Sequence, residues 1–74
     1  MEVAETKTIE VVLNGEPKRV PQGFHVAQLL QSLGIDPARV AVELNRAIVR
    51  KQDWTATEVR DGAVLEVVWF VGGG

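Results

Sequence analysis

The sequence predicts an α+β fold, a mixed sheet of four to five strands with one helix packed across one face. Three observations carry that prediction. Apolar residues alternate near both ends of the chain, at Ile9, Val11 and Leu13 and again at Leu65, Val67 and Trp69, the period of a half-buried strand. Between them a single stretch switches to helical spacing, with Val26, Leu29, Leu30 and Leu33 at i, i+3, i+4 and i+7. Turn signals then stand where strands would join, at Asn14-Gly15, Asn45-Arg46 and Asp61-Gly62.

Composition bounds the reading. Seventy-four residues make one small domain, near the lower limit of what folds without staples. There is no cysteine, so neither a disulfide framework nor a thiolate metal site can help. A hydrophobic share of 46% against 24% charged residues is the balance of a globular chain. The net charge of −2 and a pI near 5.2 argue against a nucleic-acid partner. Lys18, Arg19, Arg46, Arg50 and Lys51 are scattered and interrupted by acids, as on a solvated face. The apolar runs are far short of a membrane span, and the first residues lack the zones of a signal peptide. The expectation is a soluble, cytoplasmic protein, monomeric when free.

Residues 1–7 are polar and aperiodic and read as a flexible lead-in to a domain over residues 8–71. In the first strand Ile9, Val11 and Leu13 share one face, and Thr8, Glu10 and Val12 the other. Asn14-Gly15 is a hairpin signal, because both residue types tolerate the positive φ of a type I′ turn. The return strand, about Glu16 to Val20, carries Pro17, which fits a sheet edge and not its centre. The helix follows, closed by Gly34 as a left-handed C′ residue, with Asp36-Pro37 preventing a restart. His25, the single histidine, stands where a hydroxyl or Asp cap would serve better, and it reads as structural, not catalytic. Val40 to Asn45 alternates again, and Ala47-Ile48-Val49 reads as a short strand. Trp54 is expected to pin a connecting loop to the core. Thr55 to Arg60 is a connector, and Asp61-Gly62 launches the last strand, Val64 to Val71. Placed side by side, the two terminal strands would run parallel, with the helix in the crossover. That is the β-grasp plan.

The last strand ends abruptly in Gly72, Gly73 and Gly74. Glycine packs nothing and costs the most backbone entropy to order, so residues 72–74 are expected to form a flexible, slim tail. Extended, it would reach roughly 10 Å from the fold, enough to deliver a carboxylate into another protein's narrow site. A frayed terminus is the bland alternative. If Leu65, Val67 and Trp69 pack under the helix, then Glu66, Val68 and Phe70 lie on the open face beside the tail. Val68, Phe70 and Val71, with Glu66 at the rim, are then candidate partner-docking residues. Glu43, Glu58 and Glu66 could complement a basic partner surface.

The inventory for catalysis within the domain is poor. The chain has no cysteine nucleophile, no partner in sequence for His25, and no Gly-rich phosphate loop between a strand and a helix. Glu43, Glu58, Asp61 and Glu66 form no motif for paired acid–base work or for a metal. Chemistry, if any, belongs to Gly74. A carboxylate resists nucleophiles until adenylation supplies a leaving group that sulfur can displace. Glycine suits this because it neither blocks approach nor has a stereocentre to lose.

Taken together, the Asn14-Gly15 hairpin, the Leu29-Leu30 and Leu33 helix, Val40-Ala41-Val42-Glu43-Leu44-Asn45, Ile48-Val49, Trp54, and Asp61-Gly62 before a glycine-ended strand resemble the ThiS family. These are the ubiquitin-like sulfur carriers of thiazole (thiamine) biosynthesis, and the resemblance covers nearly everything from Thr8 to Gly74. It implies a β-grasp fold and adenylation of Gly74 with ATP by a ThiF-type adenylating enzyme. Conversion to a thiocarboxylate would follow, with sulfur from a donor such as a cysteine desulfurase, and delivery to thiazole synthase. Gly73 matches the other half of the family's Gly-Gly ending. The chain would bind no cofactor itself and would be a co-substrate, not an enzyme. Two departures stand out, a third glycine at Gly72 and histidine in place of a hydroxyl cap at His25. Alternatives left open are the small subunit of molybdopterin synthase, whose approach to its glycines is typically proline-rich where Val68-Trp69-Phe70-Val71 has none, a modifier linked to lysines, and a plain β-grasp binding module.

Overall fold

The strands and the helix form where the periodicity places them. The computed structural model describes residues 7–71. In chain order the elements are β1 (Thr8–Leu13), β2 (Glu16–Pro21), α1 (Val26–Ser32), β3 (Val40–Leu44), β4 (Ala47–Val49) and β5 (Val64–Trp69). Short 3₁₀ turns at Pro37–Arg39 and Lys51–Ala56 complete the set. The expected lead-in and glycine tail fall on residues 1–6 and 72–74, outside the described residues. Lys7, assigned to the lead-in, already takes part in the fold, since the Gln22 N–H donates to its carbonyl at 2.8 Å.

The five strands make one sheet in the order β2-β1-β5-β3-β4. β5 runs parallel to β1, with Val12 opposite Val64 and Leu13 opposite Leu65, and antiparallel to β3. This is the mixed, helix-covered sheet that the element order implied. β2, with Pro17 and Pro21, takes one edge, where an absent N–H costs no ladder bond. Both residues of each two-residue turn have positive φ, 49° and 83° at Asn14-Gly15 and 51° and 73° at Asn45-Arg46. Such turns match the right-handed twist of the strands they join.

One face of the sheet is dry. Ile9, Val11 and Leu13 of β1, Val40 and Val42 of β3, and Leu65 and Val67 of β5 are buried beneath Val26, Leu29 and Leu30 of α1. Leu65, at the centre of the sheet, has no exposed surface, and a side chain so placed contributes about 1.5–3 kcal/mol. Trp54 is buried as expected, and its Nε1–H donates to the Val49 carbonyl at 2.9 Å.

Several expectations need correction. His25 is a working cap: the Gln28 N–H donates to His25 Nδ1 at 3.1 Å, and the His25 N–H donates to Gln28 Oε1 at 3.0 Å. The imidazole nitrogen replaces the hydroxyl of an ordinary capping box, and Gln28 closes it. Asp36-Pro37 starts a 3₁₀ turn: the Ala38 N–H donates to Asp36 Oδ1, and the proline occupies a first-turn position that needs no donor. The connector after Trp54 holds a core residue, Val59, wholly buried and with its N–H donating to the Phe24 carbonyl at 2.8 Å.

β5 stops at Trp69, not Val71, and Trp69 is half exposed instead of lying under the helix. Val40, the partner of Trp69 on β3 and on the same face, is still buried, so the cover is lost on the other flank, where β1 has already ended at Leu13.

Candidate functional site

The site is built where the central strand leaves the sheet. Along β5 the side chains alternate, with Leu65 and Val67 buried and Val64, Glu66 and Val68 in solvent on the open face. Val68 is 53% exposed, Phe70 61% and Val71 93%. Glu66, Val68, Phe70 and Val71 are therefore all accessible, as a docking role requires. Exposed Ile48 of β4 shares the open face, because Glu43 pairs with both Ile48 and Glu66 across the sheet. Val68 sits opposite Ala41. The open face thus carries apolar residues on either side of a Glu43–Glu66 pair.

That pair stands out electrostatically. Two carboxylates face each other on adjacent strands, an arrangement that is destabilising by itself. The ion pairs among the described residues join Arg39 to Asp36 and Arg60 to Glu58, and neither touches Glu43 or Glu66. Glu58, grouped with these two in the sequence reading, lies apart from them, in the connector that bridges to His25.

Phe70 is anchored by its backbone, whose N–H donates to the Arg39 carbonyl at 2.8 Å. Phe70 helps line a groove of about 220 Å³ with Pro37, Ala38, Ala41 and Ile48, and Arg50 and Lys51 also border it. Gly72, Gly73 and Gly74 lie outside the described residues; the last described residue before them is Val71, beside this apolar exit.

Sequence reasoning missed what holds the exit in place. The Asn14 side chain works as an extra residue of β1: the Val67 N–H donates to its Oδ1 at 2.8 Å, and its Nδ2 donates to the Val67 carbonyl at 3.2 Å. Asn45 does similar work from the other hairpin, with the Val64 N–H donating to its Oδ1 at 2.9 Å. Both asparagines read as turn residues because positive φ accounts for them fully. A contact spanning 53 positions of sequence leaves no local signal. Among the described residues, no group of three or more His, Cys, Asp or Glu side chains is placed to hold a metal.

A helix-covered mixed sheet in this strand order, its last strand central and its exit apolar, defines a ubiquitin-like β-grasp protein. The ThiS family model matches residues 4–74. The chain belongs to the ThiS family. The crystal structure of the thiamine biosynthesis protein ThiS from Geobacter metallireducens superposes with a TM-score of 0.80 at 33% identity, covering 89% of this chain and 100% of that one. A thiazole synthase from Paramagnetospirillum magneticum is 42% identical over 66 residues, 89% of this chain and 20% of that protein. The chain thus spans about a fifth of the length of that relative. An uncharacterised protein from Pyropia yezoensis is 36% identical over 66 residues and is matched over 93% of its length.

Proposed function

We propose that this chain is a sulfur carrier and that the Gly74 carboxylate is its reactive group. An adenylating enzyme of the ThiF type joins it to AMP from ATP, releasing pyrophosphate. The persulfide of a donor such as a cysteine desulfurase then displaces AMP to give an acyl disulfide. A second thiol cleaves its S–S bond, leaving the thiocarboxylate and taking the donor's sulfur into a disulfide with itself. Thiazole synthase accepts that sulfur for ring formation, and the carboxylate is regenerated for another round. ATP is bound by the partner, and the carrier needs no cofactor of its own. Glu66, Val68, Phe70 and Val71 form the docking surface around the exit. Gly72 and Gly73 are the neck that enters the partner's site, where a side chain would obstruct passage.

The observation that carries this reading is the family match running through residue 74. Two others support it. The exposed apolar cluster stands immediately before the glycines, and a protein called thiazole synthase includes a stretch similar to this chain. A cytoplasmic site of action accords with the lack of cysteine.

The test is the intact mass of the protein after reaction with a ThiF-type enzyme, ATP and a sulfur source. Exchange of oxygen for sulfur adds about 16 Da, as oxidation of Met1 would, so fragmentation must place the change at Gly74. Deleting Gly73 and Gly74 should abolish the shift and leave the fold intact. An unmodified Gly74, with the enzyme shown active on another carrier, overturns the reading.

A further inference from the structure

The backbone of β5 is satisfied on one side further along than on the other. The Asn45 N–H donates to the Val64 carbonyl and the Phe70 N–H to the Arg39 carbonyl, so even-numbered residues of β5 direct their backbone groups toward β3. In an antiparallel pair the intervening residues must direct theirs the opposite way. There the Asn14 N–H donates to the Leu65 carbonyl at 2.9 Å, and the Asn14 side chain takes both groups of Val67. Trp69 comes next in this phase. β1 has ended at Leu13 and the Asn14 amide is spent, so β1 offers the Trp69 N–H and carbonyl no further partner.

We propose that this vacated edge, from Trp69 toward Val71, receives an extended segment of the adenylating enzyme as an added strand, a step that rests on the sulfur-carrier reading above. A free edge is a template for another chain, and proteins ordinarily blunt such edges with proline, charge or brevity. The other two edges here are blunted. β2 carries Pro17 and Pro21, and β4 is three residues long, with Arg46 before it and Arg50-Lys51 after it. The Trp69–Val71 edge is as short as β4 but carries neither proline nor charge.

The occupant follows from position. The edge is continuous with the residues that the carrier reading sends into the enzyme, so the enzyme is the chain that lies alongside. A second copy is a poor occupant, because three residues bury far less than the roughly 1,200 Å² of a specific stable interface. Strand addition also uses the side chains on both faces: Trp69 on the helix side and Phe70 on the open side are 50% and 61% exposed, ready to be covered by an incoming strand. Main-chain bonds then supply affinity and the alternating rings supply specificity.

Amide hydrogen exchange on the full chain, free and saturated with a ThiF-type enzyme, tests this residue by residue. The Phe70 amide should be protected in both states. The Trp69 amide should exchange freely alone and slow at least about tenfold in the complex, as a new main-chain bond requires. Val71→Pro, which removes an N–H outside the strand, should weaken binding about tenfold, against less than about threefold for Val71→Ala. Normal thiocarboxylate formation with the Trp69 amide still exchanging freely in the saturated complex overturns the strand addition alone. Protection that grows with carrier concentration without enzyme assigns the edge to a second copy and also overturns it. A carrier that the enzyme neither binds nor modifies removes the sulfur-carrier reading and this proposal with it.

Discussion

Replacing Asn14 with glycine isolates the contribution of one carboxamide to the exit of the central strand. Glycine keeps the positive φ of the turn, 49° at this position, without strain. Alanine would add a left-handed penalty of about 1–2 kcal/mol and confuse the measurement. What Asn14→Gly removes is the pair of bonds to Val67, at 2.8 and 3.2 Å, both part-buried. Each is worth about 0.5–1.5 kcal/mol net, so the loss should be about 1–3 kcal/mol. In a domain of this size each kcal/mol lowers Tm by about 4–8 °C. Urea unfolding followed by Trp fluorescence gives the free energy, and exchange at the Val67 amide reports the local opening. Asn14→Asp sharpens the test: it retains an acceptor for the Val67 N–H but presents an oxygen to the Val67 carbonyl, and it should be no more stable than Asn14→Gly. If Asn14→Gly costs less than about 0.3 kcal/mol and Val67 exchange is unchanged, the clamp is not a clamp.

Three further outcomes follow. Phe70→Asp should weaken binding to the adenylating enzyme by tenfold or more while stability, read by urea titration, changes by less than about 1 kcal/mol, because the ring is largely in solvent; a collapsed fold would place Phe70 in the core. Glu66→Gln should stabilise the fold by up to about 0.5 kcal/mol by relieving the cross-strand repulsion with Glu43, an effect that shrinks in high salt. A loss of stability there would mean that the two carboxylates do not repel. His25→Ala should cost about 1 kcal/mol of thermal or denaturant stability through loss of the capping box, and His25→Asn should restore most of it; equal losses in both would remove the cap from the explanation.

The parts of this fold legible in the sequence are those that period and turn chemistry govern. Ile9-Val11-Leu13, Val26-Leu29-Leu30 and Leu65-Val67 each announce a face, and Asn14-Gly15 announces a hairpin, because the cause of each lies within a few neighbouring residues. The parallel pairing of the end strands followed from topology. What escaped depends on distant partners or on relative lengths. His25 looked like a poor cap because its merit lies in the reciprocal bond from Gln28. Val59 sat unmarked in a polar connector, since burial of one residue leaves no period. Trp69 followed the alternation of its strand and was still misplaced, because alternation sets direction, whereas burial also needs a neighbouring strand, and β1 has ended before that level. At the candidate site the sequence left the exposure of Val68 and Phe70 conditional on Trp69 packing under the helix; both are exposed although Trp69 is half exposed too, and the Asn14 clamp needed the fold.

The topology also bears on the proposed use of the residues that follow this strand. β5 is central, paired with β1 on one side and β3 on the other, and Leu65 and Val67 anchor it in the core. Pulling on residue 71 therefore loads the best-held strand of the sheet, where an edge strand would peel one bond at a time. The Asn14 amide extends the β1 side of that hold by two residues, to Val67, and the Arg39 carbonyl extends the β3 side to Phe70. A partner that grips the exit and works on Gly74 then acts against a fixed post. The side chains it would grip, Val68, Phe70 and Val71, are solvent-facing, so they can be tuned to a partner at little cost to the core. Core anchoring and the proposed docking side chains thus lie on different residues along β5 and its exit, and Phe70→Asp is expected to remove docking while sparing the fold.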